Sequence, residues 1–229
     1  MQKAFLVHDV LAVFSSRCPG GNPLGFVASQ LFNYPKSNVT MTRVPNARRE
    51  LIAQPLLQSF DAAVATLVQK RGRMPRIGNW TTMLYSPEAC QRIHHWGEHL
   101  LNESSLSYRI QQLAMLVVAR EFDSQYIWIS HAGKGKEAGL TAGLVDALRD
   151  RKPLPTIKPD ENAVIKYGQE FYRTHRVSEE TFQRAIGLFG AQGLVELTML
   201  MGFYATLAFN LNAFDIDLSD QPAEPRLPM

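Results

Sequence analysis

"LSYRIQQLAMLVVAREFDSQYIWISHAGKGKEAGLTAGLVDAL", residues 106–148, contains the signals that decide the fold class of this chain. Ser107 can cap a helix whose centre is apolar nearly all round, so this helix is expected to be the most buried of the first half. A second helix is expected to begin at Asp123–Ser124 and to stop at Gly139, and Thr141 can cap a short third helix. No β-branched alternation appears, so the sequence predicts an all-α protein.

Helical signals also dominate the rest of the chain from residue 50 onward. One amphipathic repeat ends near the "KRGRMP" turn, and "SPE" at residues 86–88 reads as the start of another helix. A proline-rich break at residues 151–162 is followed by three more predicted helices, at Glu161–His175, from Ser178, and at Gly193–Asn212. The sequence thus predicts an N-terminal extension at residues 1–40 and one helical domain at residues 41–229 with an extended, Pro-rich tail.

Composition indicates a soluble globular protein. The chain has 229 residues, 45% hydrophobic residues and a net charge of +3, without the concentrated basic face of a nucleic-acid binder. The apolar run near the C-terminus is bounded by polar residues such as Glu196 and Asn210. The stretch between them is shorter than the ~20 residues of a membrane span, which favours a buried core helix. We expect a cytoplasmic protein with no membrane or nucleic-acid partner. Residues 1–40 fit an organelle-targeting peptide weakly and a poorly folded extension better.

Metal and thiol chemistry find little support in the sequence. Cys18 and Cys90 belong to no C-x-x-C motif, which favours free thiols in a reducing compartment. His95 and His99 are spaced to share one metal ion. A solvated helix face is the better interpretation, because Trp96 is expected to occupy the inner face of this helix. We expect no metal and no cofactor.

His131 is the first candidate for catalysis. On a helix, Ser124, Ile127, Trp128 and His131 share one face, and Tyr126 lies on a neighbouring face. Histidine titrates near neutral pH, which suits proton transfer beside an aromatic wall. The alternative is a core histidine bonded to a backbone carbonyl.

Glu196 is the second candidate, because it lies in a strongly apolar run. A carboxylate in such surroundings must either pair with a cation or have its pKa raised, and a raised pKa is typical of acid–base catalysts. The alternative is a structural ion pair with Arg109 or Arg120.

The chain resembles the carboxymuconolactone decarboxylase family, which shares the alkylhydroperoxidase D-like fold. The resemblance is carried, in order, by "RGRMP", "SPE", "LAMLVVAR", "SQYIWISH" and "GKEAGLT", and by the closing "FGAQGLVELTMLMGFYATLAFNLNAFDIDLSD". It covers residues 42–225. It implies an all-helical domain that assembles as a homo-oligomer, commonly a trimer or hexamer.

The same resemblance suggests the chemistry. Thiol-containing members use two cysteines, a histidine and a glutamate for peroxide reduction, and these positions fall at Ser124, Ile127, His131 and Gln112. The chain therefore resembles the thiol-free decarboxylase branch, in which His131 and Glu196 would be catalytic. Ser124, Tyr126, Ile127, Trp128 and Gln112 would then line the site for a small carboxylated molecule. Peroxide-related activity and a non-catalytic oligomeric scaffold or small-molecule binder are the alternatives.

Overall fold

The computed structural model describes residues 42–75, 78–216 and 222–229, so the predicted extension at residues 1–40 lies outside the described part of the chain. Two short 3-10 turns, Arg49–Leu51 and Gln54–Leu56, come first. All other regular structure in the described ranges is α-helical, which confirms the predicted fold class. Its helices are α1 Leu57–Arg71, α2 Asn79–Met83, α3 Pro87–Asn102, α4 Tyr108–Glu121, α5 Gln125–Glu137, α6 Ala142–Arg149, α7 Pro159–Thr174 and α8 Glu179–Ala213.

Helix α4 is the centre of the domain. It packs against α5, α6, α7 and α8, and every residue from Ile110 to Arg120 is buried. Helices surround it, so an apolar surface all round is favourable, as its sequence predicted. Its predicted cap is also confirmed, because the Ser107 hydroxyl accepts a hydrogen bond from the backbone N–H of Ile110.

Helix α8 is broken at Gly190, which has φ 66° and ψ 177°. Two helices were predicted here, and each half has the sequence signals expected of it. Ser178 caps the first half through the backbone N–H of Thr181, and the glycine adopts the left-handed φ that other residues avoid. By length and composition α8 could cross a membrane, but 56% of its most apolar window is buried within the described fold, as in a core helix.

A second, smaller core lies between α1 and α3, around Phe60, Leu67 and Cys90. Helix α2, which contacts α3 and α8, was not predicted because five residues are too few to show a helical period.

The tail at residues 222–229 has no regular secondary structure and is anchored to α5. The Gln125 side-chain amide donates to the carbonyl of Leu227 at 2.8 Å and accepts from its backbone N–H at 2.9 Å. Leu227 is only 3% exposed and joins the main core. The tail is therefore part of the packed domain, which its Pro-rich composition does not indicate.

Candidate active site

His131 lies on α5 between side chains of α4 and α8. Its Nδ1 is 2.9 Å from Gln112 Oε1, and its Nε2 is 3.4 Å from the Tyr204 hydroxyl. The His131 and Tyr204 rings meet edge to face, with centroids 5.3 Å apart. Three helices thus contribute one side chain each to a hydrogen-bonded set that we call the Gln112–His131–Tyr204 chain.

The hydrogen-bond partners of His131 determine which of its two ring nitrogens carries the proton. An amide oxygen can only accept, so Nδ1 carries the hydrogen and the Nε2 lone pair faces the Tyr204 hydroxyl. Tyr204 is 5% exposed, and burial raises the pKa of its phenol, which keeps the hydroxyl protonated as a donor. The chain runs from the phenol through the imidazole to the amide.

His131 is neutral at physiological pH. Burial, and to a lesser extent the positive charge of Lys134, lower the pKa of His131 from 6.5 to about 3. No carboxylate of the described residues forms an ion pair with the ring. The imidazole is therefore a neutral hydrogen-bonding group in the unliganded protein, and near neutral pH it would gain a proton only if an anion came close.

Gly135, one turn beyond His131, lets α4 and α5 approach closely. A Cβ at this position would lie 3.0 Å from Leu140 Cδ1 and 3.2 Å from Leu116 Cδ1. These contacts are tight for methyl groups, so a larger residue would push the helices apart. The glycine thereby keeps His131 within reach of Gln112.

Ser124, Ile127 and Trp128 occupy the buried part of α5. Ser124 is fully buried as the N-cap, and its Oγ has no hydrogen-bond partner among the described residues. Ile127 and Trp128 are 3% and 1% exposed and belong to the main core. The indole N–H of Trp128 donates to the carbonyl of Pro225 at 3.1 Å, so the tail fixes this ring.

Tyr126 is directed away from His131. A Cβ at Gly78 would lie 2.5 Å from its hydroxyl oxygen, which places that hydroxyl against the start of α2. On a helix, residues five apart are rotated by about 140°, so the two side chains cannot share a face. The structure thus brings His131 together with Gln112 but leaves Tyr126 outside this cluster.

Glu196 lies in a separate hydrogen-bond network, which corrects two expectations. Its Oε2 accepts from the backbone N–H of Ser105 at 2.8 Å and from the Ser105 hydroxyl at 2.6 Å, and its Oε1 accepts from Gln192 at 2.9 Å. The Ser105 hydroxyl and Gln192 lower the pKa of Glu196, whereas a raised value was expected. The expected ion pair was also wrong, because Arg109 pairs with acids of α7 and Arg120 pairs with Asp123.

The described cysteine is unsuited to thiol chemistry. Cys90 is 1% exposed, and burial raises the pKa of its thiol to about 11. The thiol is therefore protonated at neutral pH and is not the thiolate that attacks a peroxide. His95 and His99 are exposed, and His99 pairs with Glu103, which agrees with the predicted solvated face. His94 is the buried histidine of this helix, which the sequence did not single out.

The helical arrangement around α4 defines the class of fold: it is that of the alkylhydroperoxidase AhpD core. This confirms the fold that the sequence resemblance implied. No protein-family model matches the chain, and a search of curated proteins found no match. The fold is therefore shown by structural similarity alone.

Three solved structures illustrate the similarity. A peroxidase-related protein from Ralstonia eutropha JMP134 with the AhpD core has a TM-score of 0.60 at 12% identity, over 79% of this chain and 93% of that one. A peroxidase-related protein from Silicibacter sp. TM1040 has a TM-score of 0.60 at 13% identity, over 82% and 96%. The debrominase Bmp8 has a TM-score of 0.58 at 11% identity, over 80% and 94%.

Sequence reasoning missed Tyr204, which is 73 positions from His131. Tyr204 stands in an apolar run without a polar neighbour in sequence, so no local signal marks it. Lys134 was missed as well, although it is one turn from His131 and therefore predictable from helical spacing.

Proposed function

We propose that this chain is a cofactor-independent enzyme in which His131 performs acid–base chemistry on a small carboxylated molecule. The reaction is a decarboxylation or a related lactone or enol reaction, as the sequence resemblance implies. The observation that carries the proposal is the Gln112–His131–Tyr204 chain, which holds one tautomer of the imidazole. The enzymes among proteins of this fold, such as a debrominase, make catalysis plausible for this chain.

The charges around His131 favour an anionic substrate. Lys134 is the charged group that contributes to its pKa shift, and no acid of the described residues offsets it. A bound carboxylate near Nε2 would stabilise the imidazolium and raise the pKa of His131 toward neutrality. Substrate binding would then be coupled to proton uptake, and the enzyme would hold its acid ready only when substrate is present.

In the proposed decarboxylation, the bond from the substrate carbon to its carboxylate breaks and carbon dioxide leaves. The electron pair stays on the substrate as a dienolate, and the proton on Nε2 of His131 moves to its carbon. Solvent then restores the proton before the next turnover. Tyr204 acts by donating to Nε2 in the resting state and to substrate oxygen when the imidazolium forms.

Peroxide reduction by thiols fits the described residues poorly. Ser124 and Ile127 replace the two thiol positions implied by the resemblance, and a serine hydroxyl is no peroxide nucleophile. Cys90 is buried and protonated. The other cysteine, Cys18, lies outside the described residues.

A non-catalytic small-molecule binder is the second candidate, and the low pKa of His131 favours it. With Gln112 in place of a carboxylate, no described residue around the ring carries a negative charge that would stabilise an imidazolium. A binder would use the neutral ring only to accept or donate hydrogen bonds. The two candidates differ in whether a carboxylated ligand is turned over or only held.

The test is release of carbon dioxide from a panel of carboxylated lactones by variants that remain folded by circular dichroism. We expect His131→Ala to lose about 100-fold or more in turnover, whereas exposed His95→Ala stays at the wild-type rate. Tyr204→Phe should slow turnover by about tenfold. Its matched control is Tyr167→Phe, because the Tyr167 hydroxyl bonds only to Thr198 among the described residues.

Unchanged turnover in His131→Ala would contradict the proposal. Wild-type protein that binds the lactones tightly but releases no carbon dioxide from any of them would support the binder.

We also propose a homo-oligomer, as the resemblance implies. The outer face of α8 exposes Val195, Met199 and Phe209, which are 57%, 40% and 67% exposed. Such an apolar stripe is typical of a helix that packs against a second copy. Light scattering on the purified protein measures the number of subunits, and Phe209→Glu should lower it.

A further inference from the structure

The described residues form an open cavity of about 680 Å³. It lies between the end of α4, the end of α6, the loop that follows α6, and α7. Its volume is in the range of small-molecule sites. None of the Gln112–His131–Tyr204 chain lines it. The lining residues are Glu121, Ala147, Leu148, Arg151, Lys152, Pro153, Leu154, Lys166, Gln169 and Arg173.

The cavity combines an apolar wall with a positive rim. Pro153 is exposed and Leu154 is half-buried, so these two residues provide its accessible apolar surface, next to the buried Ala147 and Leu148. The rim carries four basic side chains against one acid, Glu121. An apolar wall buries a hydrocarbon body, and the excess of cations attracts a negative group.

Arg173 and Arg151 are each held by hydrogen bonds that use only some of their N–H groups. Glu121 accepts from Nε and Nη2 of Arg173 at 2.9 and 2.6 Å, which leaves Nη1 without a partner among the described residues. Within the same residues Arg151 donates through Nη2 alone, to the carbonyl of Arg120 at 3.3 Å and to the carboxylate of Asp123 at 3.2 Å. Held guanidinium groups can bind a carboxylate without losing much side-chain freedom.

Arg151 also has a left-handed backbone, with φ 54°, directly after the C-cap of α6. Glycine is the usual residue at this position because a Cβ is unfavourable there. This conformation ends α6, because the backbone N–H of Lys152 then donates to the carbonyl of Ala147 at 2.9 Å. The Arg151 guanidinium both caps α4 and borders the cavity.

Lys166 and Gln169 are one turn apart on α7 and line the cavity together. Neither side chain makes a hydrogen bond or ion pair with any residue that the structure describes. By contrast, Lys152 is paired with Asp150 at 2.9 Å. Lys166 is thus the rim cation without a hydrogen bond or ion pair to a described residue, although its charge attracts that of Glu170 on the same helix.

We infer that this cavity binds a small organic anion, with its apolar body against Pro153 and Leu154 and its carboxylate among Lys166, Arg151 and Arg173. The site is separate from His131 and needs no part of the proposed reaction.

The test is isothermal titration calorimetry at low salt with benzene-1,3-dicarboxylate as the probe and its uncharged diamide as the comparison. We expect the dicarboxylate to bind about tenfold or more tightly than the diamide. Lys166→Met should weaken binding by about fivefold or more, and Lys166→Arg should restore most of it. The matched control is Lys158→Met, which removes the same charge from the start of α7, outside the cavity.

A further variant separates this site from the proposed catalytic one. His131→Ala should bind the dicarboxylate within about twofold of wild type, because distant sites behave independently. Three results would overturn the inference: no binding of the dicarboxylate, equal binding by Lys166→Met, or loss of binding in His131→Ala. Loss of turnover without loss of this binding would leave the cavity assignment intact.

Discussion

The Gln112–His131–Tyr204 chain and the network around Glu196 share one helix but hold their ionisable groups in opposite ways. Tyr204 and Glu196 are eight residues apart on α8, a rise of about 12 Å. The carboxylate of Glu196 accepts three hydrogen bonds, which lower its pKa and keep it charged. The imidazole of His131 is half-buried between two neutral partners, and its removal from water, with a smaller effect of the Lys134 charge, lowers its pKa and keeps it uncharged.

These two networks show that an apolar sequence context does not determine the protonation state of a side chain. Glu196 lies in the more apolar run, yet it reaches the backbone N–H of Ser105 at the α3–α4 turn and stays ionised. A charged group that satisfies a backbone donor is suited to fixing a turn. A neutral group held by two polar side chains is suited to changing its charge when a ligand arrives.

The largest expected effect comes from giving His131 a carboxylate partner. Gln112→Glu keeps the size of a residue that is 2% exposed and should raise the pKa of His131 by about two units or more. Titration of the His131 ring by NMR measures this change.

The control for that experiment is the same substitution in the other network. Gln192→Glu replaces a donor to Glu196 by a like charge, so it should raise the pKa of Glu196 and leave that of His131 unchanged. If Gln112→Glu moved the pKa of His131 no more than Gln192→Glu does, the assigned contact between Gln112 and His131 would be wrong.

The next effect is on stability in acid. The pKa of His131 is about 3 in the folded protein and 6.5 as an ordinary value, so the unfolded chain binds a proton between these pH values that the folded chain does not. The free energy of unfolding is therefore highest above pH 6.5 and falls as pH drops toward 3. Between pH 6.5 and 5, wild type should lose about 1–2 kcal/mol more than His131→Asn.

Urea unfolding at a series of pH values measures this difference. The carboxyl of Glu196 affects stability at lower pH. Its pKa in the folded protein lies below the ordinary value of 4.5, so its contribution to the free energy of unfolding is present above pH 4.5 and is lost as the pH falls further. Equal slopes for wild type and His131→Asn between pH 6.5 and 5 would count against an imidazole that stays neutral in the folded protein.

A smaller effect is expected from removing the Glu196 network at neutral pH. Glu196→Ala leaves the backbone N–H of Ser105 without its acceptor and should lower the free energy of unfolding by about 1 kcal/mol. Glu180→Ala, which breaks an exposed pair with Arg184 on the same helix, should cost less. Turnover should survive Glu196→Ala, and its loss there would place Glu196 in the catalytic site after all.

The smallest effect concerns Lys134. Its charge is the lesser cause of the lowered pKa of His131, and it is exposed to screening by salt. Lys134→Gln should raise the pKa of His131 by a few tenths of a unit. A larger rise would mean that charge, rather than burial, keeps the ring neutral.

The sequence predicts the helices well because their signals are local. Ser107 and Ser178 cap the helices that they were expected to cap, and the apolar centre of α4 correctly indicates the middle of the domain. The site is predicted only in part. Helical spacing identifies His131 and its face of α5, and the resemblance adds Gln112, but Tyr204 and the tail contacts of Trp128 depend on tertiary packing. For Glu196, the deciding partner is a backbone N–H of a turn, which no residue pattern reports.

The most direct test of this account is an NMR titration of the His131 ring in the wild-type protein, alone and with a bound carboxylated lactone. We expect the free protein to keep a neutral ring with the proton on Nδ1 from pH 8 down to about pH 4. We expect the ligand to move the pKa upward. A ring that titrates near 6.5 in the free protein, or that carries its proton on Nε2, would contradict the account.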